Sequence, residues 1–467
     1  MTRYLILGNG AAGATAAEEI RRLDPRGEIT LVGAERYPMY SRPGLAYLIL
    51  DEIPERQVLA RSSQWYAELD LRLLHGTASR LDVRAQRVQL ADGLVLGYDR
   101  LLIATGARAA DLPLAQASPP PAGIVYLDTL DGTKDLLKRA KRARRGVVVG
   151  GGITALEMAE GFAHQKVETH YFVRRNTIWS TVFNQTESDL LAGRMRAHGV
   201  HIHYGAEVAA PLADRHGRLN GVKLTSGDVF NCDLLGVGIG VRPQIDLARG
   251  TPIQVDKAIL VNEYLETSVP GVYAAGDCAQ MWNPWTQSYT LDVLWPTAVA
   301  AGRTAGRNLA GQHEAYARST PFNACLLFGL HVAAIGQLGN LRDEPEAEVI
   351  QLLSRGSSEI WATRPAGYSS AWSQSGADTL RLTLSNNRLV GALVIGNQNL
   401  ADALRELIDL QADLSPLRPY LEAGSGAALR SAAPLPELIT KFWQLTRAPA
   451  ARRQPQAAAP QAAGYPA

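Results

Sequence analysis

Cysteine is scarce in this chain. Among 467 residues there are three, Cys232, Cys278 and Cys325. They stand far apart, which excludes a disulfide framework, a CxxC pair and a four-cysteine metal site. Such sparing use fits a reduced, cytoplasmic setting. An excess of one charge is lacking too. Lys and Arg number 47 against 45 Asp and Glu, so the net charge is +2 and gives no case for nucleic-acid binding. No apolar run approaches the ~18 residues that span a bilayer. Tyr4-Leu5-Ile6-Leu7 after Arg3 imitates a signal peptide, but its apolar stretch is shorter than the ~7–15 residues such a segment needs. A strand followed by a glycine loop explains it better. What is present is ordinary for a globular chain: 46% hydrophobic and 20% charged residues, with 43 glycines. At roughly 100–200 residues per domain, about three domains are expected.

A pattern occurs twice. Arg3 to Glu35 reads strand, glycine loop, helix, strand, and Gly146 to Arg175 reads the same way. The opening runs are Tyr4-Leu5-Ile6-Leu7 and Val147-Val148-Val149; the closing runs are Ile29-Thr30-Leu31-Val32 and Thr169 to Val173. These are two βαβ units, so two dinucleotide sites are expected. A proline-rich joint, Pro113 and Pro119-Pro120-Pro121, separates them. Gly236 to Pro243 reads as a glycine-rich crossing point. From about 320 a third region mixes short strands, at Val332–Ile335, Thr379–Leu384 and Leu389–Ile395, with a helix near 400–411. Ala448 to Ala467 contain no Ile, Leu, Val, Met or Phe and read as a disordered tail.

Gly8-Asn9-Gly10-Ala11-Ala12-Gly13 is a GxGxxG between strand and helix. The first glycine makes the turn, the second lets backbone N–H groups approach a pyrophosphate, and the third lets helix and sheet pack closely. The helix N-terminus adds partial positive charge. Glu35, 22 residues beyond Gly13, stands where an acid accepts from ribose hydroxyls. The second fingerprint, Gly150-Gly151-Gly152-Ile153-Thr154-Ala155, ends in Ala, which the motif allows. Its second strand runs into Arg174-Arg175 rather than an acid. Arginine pairs with a 2′-phosphate where an acid repels it, so NADPH is favoured over NADH. The alternatives are a site that takes both, or two surface arginines that merely end a strand.

In these motifs the chain resembles the FAD-dependent pyridine nucleotide oxidoreductases, the superfamily of rubredoxin, ferredoxin and glutathione reductases. Four segments carry the resemblance: the first fingerprint with Glu35, Leu101-Leu102-Ile103-Ala104-Thr105-Gly106-Ala107, the second fingerprint, and Gly271-Val272-Tyr273-Ala274-Ala275-Gly276-Asp277-Cys278. More loosely, Phe328-Gly329-Leu330 and Gly391 to Gly396 resemble the C-terminal part of reductases related to the nitrite reductase large subunit. The fold implied is α/β: two Rossmann-like three-layer domains, the second inserted in the first, plus an α+β C-terminal domain. The expected boundaries are 1–110 and 253–318 for FAD, 111–252 for NAD(P), 319–425 for the C-terminal domain and 426–467 for a mostly disordered tail.

The resemblance also implies roles. FAD would be held by Gly8, Gly10, Ala12, Gly13, Glu35, Ala78, the Ala104-Thr105-Gly106 turn, and Asp277 on the ribitol. Leu294-Trp295-Pro296-Thr297-Ala298 would start a helix aimed at the flavin pyrimidine edge, with N–H groups near Ala298 contributing. NADPH or NADH would be held by Gly150, Gly152, Ile153, Thr154, Arg174, Arg175 and Gly238. Tyr40-Ser41-Arg42-Pro43 matches the family's flavin-facing turn, so Arg42 and Pro43 would line the isoalloxazine. Relatives place a Lys at the position of Tyr47, paired with the counterpart of Glu157. Here Glu157 would meet the nicotinamide amide alone, its charge state shifted by burial.

The disulfide reductases of this family carry CxxxxC in the segment matching Pro38 to Asp51, and the single-cysteine branches need one Cys there. This segment has none. Cys232 and Cys278 read as structural. The implied mechanism is hydride transfer from nicotinamide C4 to flavin N5, with ring stacking supplying proximity. Electrons would then pass to a small redox carrier of ferredoxin or rubredoxin type. Alternatives are an NAD(P)H oxidase or quinone reductase, a flavoprotein subunit of a larger redox complex, and a redox-sensing scaffold; a homodimer through the third region stays open.

His198, His201 and His203 lie close in sequence, but the strand-like alternation puts only His201 and His203 on one face and nothing nominates a third ligand in the right shell, so no metal site is expected. Lys138 to Arg145 carries six basic residues in eight positions, read as a solvated helix face or a docking patch for an acidic carrier. Trp282, Trp285 and Trp295 read as core, a dimer contact or a wall near the flavin.

Overall fold

The computed structural model describes residues 1–112, 120–283, 288–338, 347–354, 358–364, 367–373, 378–396, 398–417 and 435–447. Trp285, Pro113, Pro119 and the Ala448–Ala467 segment lie outside the described residues. Two five-stranded parallel sheets form the body of the molecule. In the first, Val272–Ala274, Arg100–Ile103, Arg3–Leu7, Glu28–Gly33 and Leu71–His75 lie side by side in that order. In the second the order is Val200–Tyr204, Glu168–Val173, Arg145–Val149, Leu234–Val237 and Ile124–Val125. The second sheet comes entirely from chain between the fourth and fifth contributions to the first, so it is an insertion. The strands read as continuous apolar runs because a parallel sheet is covered on both faces: Ile6, Leu31, Leu102, Val148 and Leu235 are fully buried.

The connections are short and specific. Val241–Pro243 pairs antiparallel with Ala107–Ala109, which is the crossing point that the glycines of 236–243 mark. Thr105 Oγ1 donates to the Gln244 carbonyl at 2.6 Å and Gln244 Nε2 returns a bond to the Thr105 carbonyl at 2.8 Å. The two cross-over strands are thereby stitched at the Ala104-Thr105-Gly106 turn.

The third region is an antiparallel sheet in the order Phe322–Leu327, Leu330–Gly336, Arg388–Ile395, Asp378–Ser385, Ala347–Ser354. The helix Ala401–Asp409 buries Ala403, Leu404 and Leu407 against it. A tail beginning at 426 is corrected in part: Leu435–Thr446 is a helix, and Phe442 is fully buried in the same core. Its apolar Leu435, Leu438, Ile439, Phe442 and Trp443 recur at helical spacing, a signal that the polar stretch beyond it masked.

Candidate cofactor cleft and active site

Each fingerprint opens at the C-terminal end of a central strand whose two neighbours leave in opposite directions, the topological switch point where ligands bind. The two glycine loops are built alike. Gly8 has φ +122°, and a Cβ there would sit 2.0 Å from the Ala104 carbonyl oxygen. Gly150 has φ +142°, and its Cβ would sit 2.1 Å from the Gly238 carbonyl oxygen. A Cβ on Gly13 would meet the Gly8 carbonyl at 2.0 Å. These glycines are required by the protein's own packing. Gly10 and Gly152 are different: a Cβ on either meets nothing within 4 Å. Each is the residue before a helix, Ala11–Leu23 and Ile153–His164, with no side-chain cap. The first intrahelical bonds run from Ala14 to Gly10 and from Leu156 to Gly152. The N–H groups of Ala11, Ala12 and Gly13, and of Ile153, Thr154 and Ala155, are therefore left for a ligand. An open glycine facing uncapped N–H groups is what a dinucleotide pyrophosphate requires, so the residues present fit FAD at the first loop and NAD(P)H at the second.

Packing draws the other fingerprint residues together. A Cβ on Gly276 would meet the Ala12 Cβ at 3.1 Å and the Ala298 Cβ at 3.8 Å. Asp277 follows at that junction, and its carboxyl is pushed up to about 6 by burial, against Arg42 and with help from Asp292 and Asp128. The helix Trp295–Leu309 lies on the first-fingerprint helix through small residues; a Cβ on Gly302 would strike the Ala12 carbonyl at 2.3 Å. Its cap is Leu294, with no side-chain cap bond, and proline in the first turn. The N–H of Ala298 itself donates to the Leu294 carbonyl at 2.9 Å. The first-turn N–H groups of Trp295 and Thr297 stand ahead of that bond, and intrahelical bonding does not use them. Ala78 starts the antiparallel strand Ala78–Asp82, just past the end of Leu71–His75.

Glu35 and Arg42 meet directly. Arg42 Nη2 donates to Glu35 Oε1 at 3.1 Å and Arg42 Nη1 to Asp128 Oδ1 at 3.2 Å, with a further bond to the Asp128 carbonyl. Tyr40 Oη donates to Glu35 at 2.9 Å and accepts from the Leu130 N–H at 3.2 Å. Pro43, beside Arg42, is exposed. Sequence reading named Tyr40 in the Tyr40-Ser41-Arg42-Pro43 turn but missed Asp128. Asp128-Thr129 immediately precedes the helix Leu130–Ala140, whose cap is Thr129, so a helix-start pattern was available. What no pattern shows is that this helix start docks on the Tyr40–Pro43 turn.

Glu157 and Glu160 share one side of the helix Ile153–His164, three residues apart. Burial pushes the Glu157 carboxyl up to about 8, reinforced by Glu160. Burial likewise raises Glu160 to about 7, although the Phe328 N–H donates to its Oε1 at 2.7 Å. Burial raises the Tyr47 phenol, and Cys325 and Glu157 both add to that rise. The third region supplies Cys325 and Phe328 to this corner, which the sequence did not reveal. The consequence is measurable. Both carboxyls hold protons in the folded state that the unfolded chain releases above about 4.5, so their stabilisation is full below that pH and lost as pH rises through 7–8. Glu157→Gln/Glu160→Gln is expected to melt several degrees above the parent at pH 8.5 and level with it at pH 5. An equal shift at both pH values would contradict the shared proton load.

Cys232 and Cys278 are buried. Burial raises the thiol of Cys232 to about 12 and also that of Cys278, which donates to the Ile103 carbonyl at 3.3 Å. The histidine reading gains a member: His170 bonds His203 at 2.9 Å and stacks on His201 at 4.8 Å. Among the described residues no three His, Cys, Asp or Glu are arranged to hold a metal. The basic run Lys138–Arg145 precedes the strand Arg145–Val149, whose far end carries Gly150, roughly 17 Å away at ~3.3 Å per residue. Arg139 is paired with Asp135 at 2.6 Å and Arg145 with Glu168 at 3.0 Å. That end of the sheet faces away from the second fingerprint, which favours the solvated-face reading. Trp282 stacks edge-on with Tyr289 at 5.6 Å, and Trp295 is the first residue of its helix.

Residues 2–305 match the family model described as pyridine nucleotide-disulphide oxidoreductase. The chain belongs to this family. Rhodocoxin reductase of Rhodococcus erythropolis is 34% identical over 320 residues, 68% of this chain and 74% of that protein. Nitrite reductase [NAD(P)H] of Bacillus subtilis (strain 168) is 23% identical over 415 residues, 88% of this chain and 48% of that protein, a match that runs into the third region. Among solved structures, the covalent putidaredoxin reductase–putidaredoxin complex superposes with TM-score 0.80 at 23% identity, covering 95% of this chain and 99% of that one, and shows the shared fold. The family member described here is an FAD-dependent NAD(P)H oxidoreductase. No helix among the described residues is long and apolar enough to cross a membrane.

Proposed function

We propose that this protein takes reducing equivalents from NADPH, in preference to NADH, and delivers them singly to a small iron–sulfur carrier of ferredoxin or rubredoxin type in the cytoplasm. Residues 1–110 and 253–318 would hold FAD, 111–252 NAD(P)H, and 319–425 would close the corner at Glu157. The observation that carries the reading is the occupant of the flavin-facing turn. Where thiol-dependent branches of the family place cysteine, this chain has Ser41-Arg42-Pro43, with Arg42 anchored by Glu35 and Asp128. The similarity to rhodocoxin reductase supports the carrier assignment.

Bound FAD would supply hydride acceptance from the nicotinamide and stepwise release of two electrons. The chain supplies the rest. Gly8, Gly10, Ala12 and Gly13 cradle the FAD pyrophosphate, and Gly150, Gly152, Ile153 and Thr154 that of NAD(P)H. Asp277 accepts from the ribitol, and Glu35 from the adenosine ribose once released from Arg42. The N-terminus of Trp295–Leu309 favours negative charge at the pyrimidine edge. A protonated Glu157 donates a hydrogen bond to the nicotinamide amide. Arg175, exposed and without an ion pair among the described residues, meets the 2′-phosphate.

The test is a comparison of acceptors under NADPH. A [2Fe–2S] ferredoxin or a rubredoxin is expected to be reduced at least tenfold faster than O2 is consumed. Faster oxygen consumption would replace the carrier reading with an oxidase. A second reading, a subunit of a larger assembly, is favoured by the extended match to nitrite reductase, of which this chain spans about half. It would show as slow turnover with every free carrier.

A further inference from the structure

The second nucleotide site has no acid at the end of its second strand, but it has one on the next strand's exit. Glu168–Val173 ends beside Val200–Tyr204, with Val173 opposite Tyr204. The chain leaving Tyr204 reaches Glu207 three residues later. There the Glu207 carbonyl accepts from the Thr225 N–H at 2.9 Å, which pins it to the antiparallel hairpin that follows. From this anchored position Glu207 Oε1 takes Arg174 Nη1 at 3.4 Å. Both side chains are open to solvent, 72% exposed for Arg174 and 47% for Glu207. Arg175, the next residue, is exposed and makes no ion pair among the described residues. The two arginines are therefore not equivalent: one carries its own counter-ion and the other does not.

We propose that Glu207 is a specificity-determining residue, which holds Arg174 and so limits the advantage of a 2′-phosphorylated nucleotide over its unphosphorylated counterpart. This rests on the reading that Arg174 and Arg175 face the 2′ position. The physical argument is competition. A phosphate dianion entering beside Arg174 must share or displace the Glu207 carboxylate and also approaches its negative charge. Arg174, Arg175 and Glu207 together carry +1; with glutamine at 207 they carry +2. One unit charge removed at ~4 Å in water changes affinity for a monovalent anion about fivefold, and a dianion responds more strongly. An uncharged ribose hydroxyl lacks that response, so 5′-AMP binding stays level. The pair is solvent-exposed, so the effect shrinks as salt is raised.

The experiment is titration calorimetry of the FAD-loaded protein with 2′,5′-ADP and with 5′-AMP at low salt. The parent and the variants Glu207→Gln, Arg174→Ala, Glu207→Gln/Arg174→Ala and Arg175→Ala are compared. Glu207→Gln is expected to tighten 2′,5′-ADP at least fivefold and to leave 5′-AMP within twofold. The gain should vanish in the Arg174→Ala background. Unchanged 2′,5′-ADP affinity, equal tightening of both nucleotides, or a gain that survives Arg174→Ala would each overturn the role of Glu207. If the parent fails to discriminate and Arg175→Ala changes nothing, the NADPH reading falls and this role with it. If the parent discriminates while Glu207→Gln is inert, only the role of Glu207 falls.

Discussion

Gly10→Val is expected to give a folded protein that cannot retain FAD. Gly10 has φ −92°, an ordinary value for any residue, and a Cβ there meets no protein atom within 4 Å. The protein itself therefore tolerates a side chain. The space it would fill is the space in front of the Ala11, Ala12 and Gly13 N–H groups, where the pyrophosphate would lie. Losing two charge-assisted hydrogen bonds at ~1.5–3 kcal/mol each lowers FAD affinity by at least about a hundredfold. The readouts are the flavin-to-protein ratio after purification and the melting temperature of the flavin-free protein, which should match the flavin-free parent within a few degrees. Gly152→Val is the matching control. It should keep FAD and lose NADPH binding. Gly8→Ala should behave differently from both, because its Cβ collides with the Ala104 carbonyl and the fold itself fails. If Gly10→Val retained flavin at the parent ratio, FAD would not lie on the first loop.

Arg381→Met is expected to lower the stability of the whole protein by about 3–5 kcal/mol, the usual cost of stripping one partner from a buried ion pair. Arg381 Nε meets Glu187 Oε1 at 2.8 Å, with the two side chains 8% and 0% exposed. Arg381 also donates to the Val182 carbonyl. Glu187 belongs to the capping box of the helix Gln185–Ala197, where it accepts from the Asn184 N–H at 2.8 Å. One arginine of the third region thus closes onto the helix start of the second Rossmann layer. Leu327, Phe328, Leu393 and Ile395 extend the same contact into the core around Phe162. Urea unfolding of Arg381→Met and of Arg381→Met/Glu187→Gln measures the term. The double variant should recover part of the loss, because the carboxylate is no longer stranded. A loss below about 1 kcal/mol in the single variant would mean that the pair behaves like a surface one.

The two dinucleotide folds were legible because their signals are local. Strand, glycine spacing and helix follow one another within each βαβ unit, and the insertion was implied by the family resemblance those motifs carry. The helix Leu435–Thr446 was hidden because a polar, proline-rich run after it dominates the composition. Within the cleft, the fingerprint glycines, Asp277 and the Trp295–Leu309 helix could be placed from motifs. The Arg42–Asp128 bond, the approach of Cys325 and Phe328 to Glu157 and Glu160, and the Arg174–Glu207 pair could not. Each joins residues dozens to more than a hundred positions apart, or one strand over, and depends on how helices and sheets dock. Ala298 shows a finer limit. The helix start around it was legible from Leu294-Trp295-Pro296-Thr297-Ala298, but the bond from its own N–H to the Leu294 carbonyl was not.

The most direct measurement of the central claim is anaerobic mixing of the FAD-loaded protein with NADPH and, separately, NADH, following loss of flavin absorbance near ~450 nm. The expected result is rapid bleaching by NADPH and slower bleaching by NADH, with the difference reduced in Arg175→Ala. Faster bleaching by NADH would remove the 2′-phosphate role of the arginines and leave the reductase in place. No bleaching by either nucleotide would contradict the account at its centre.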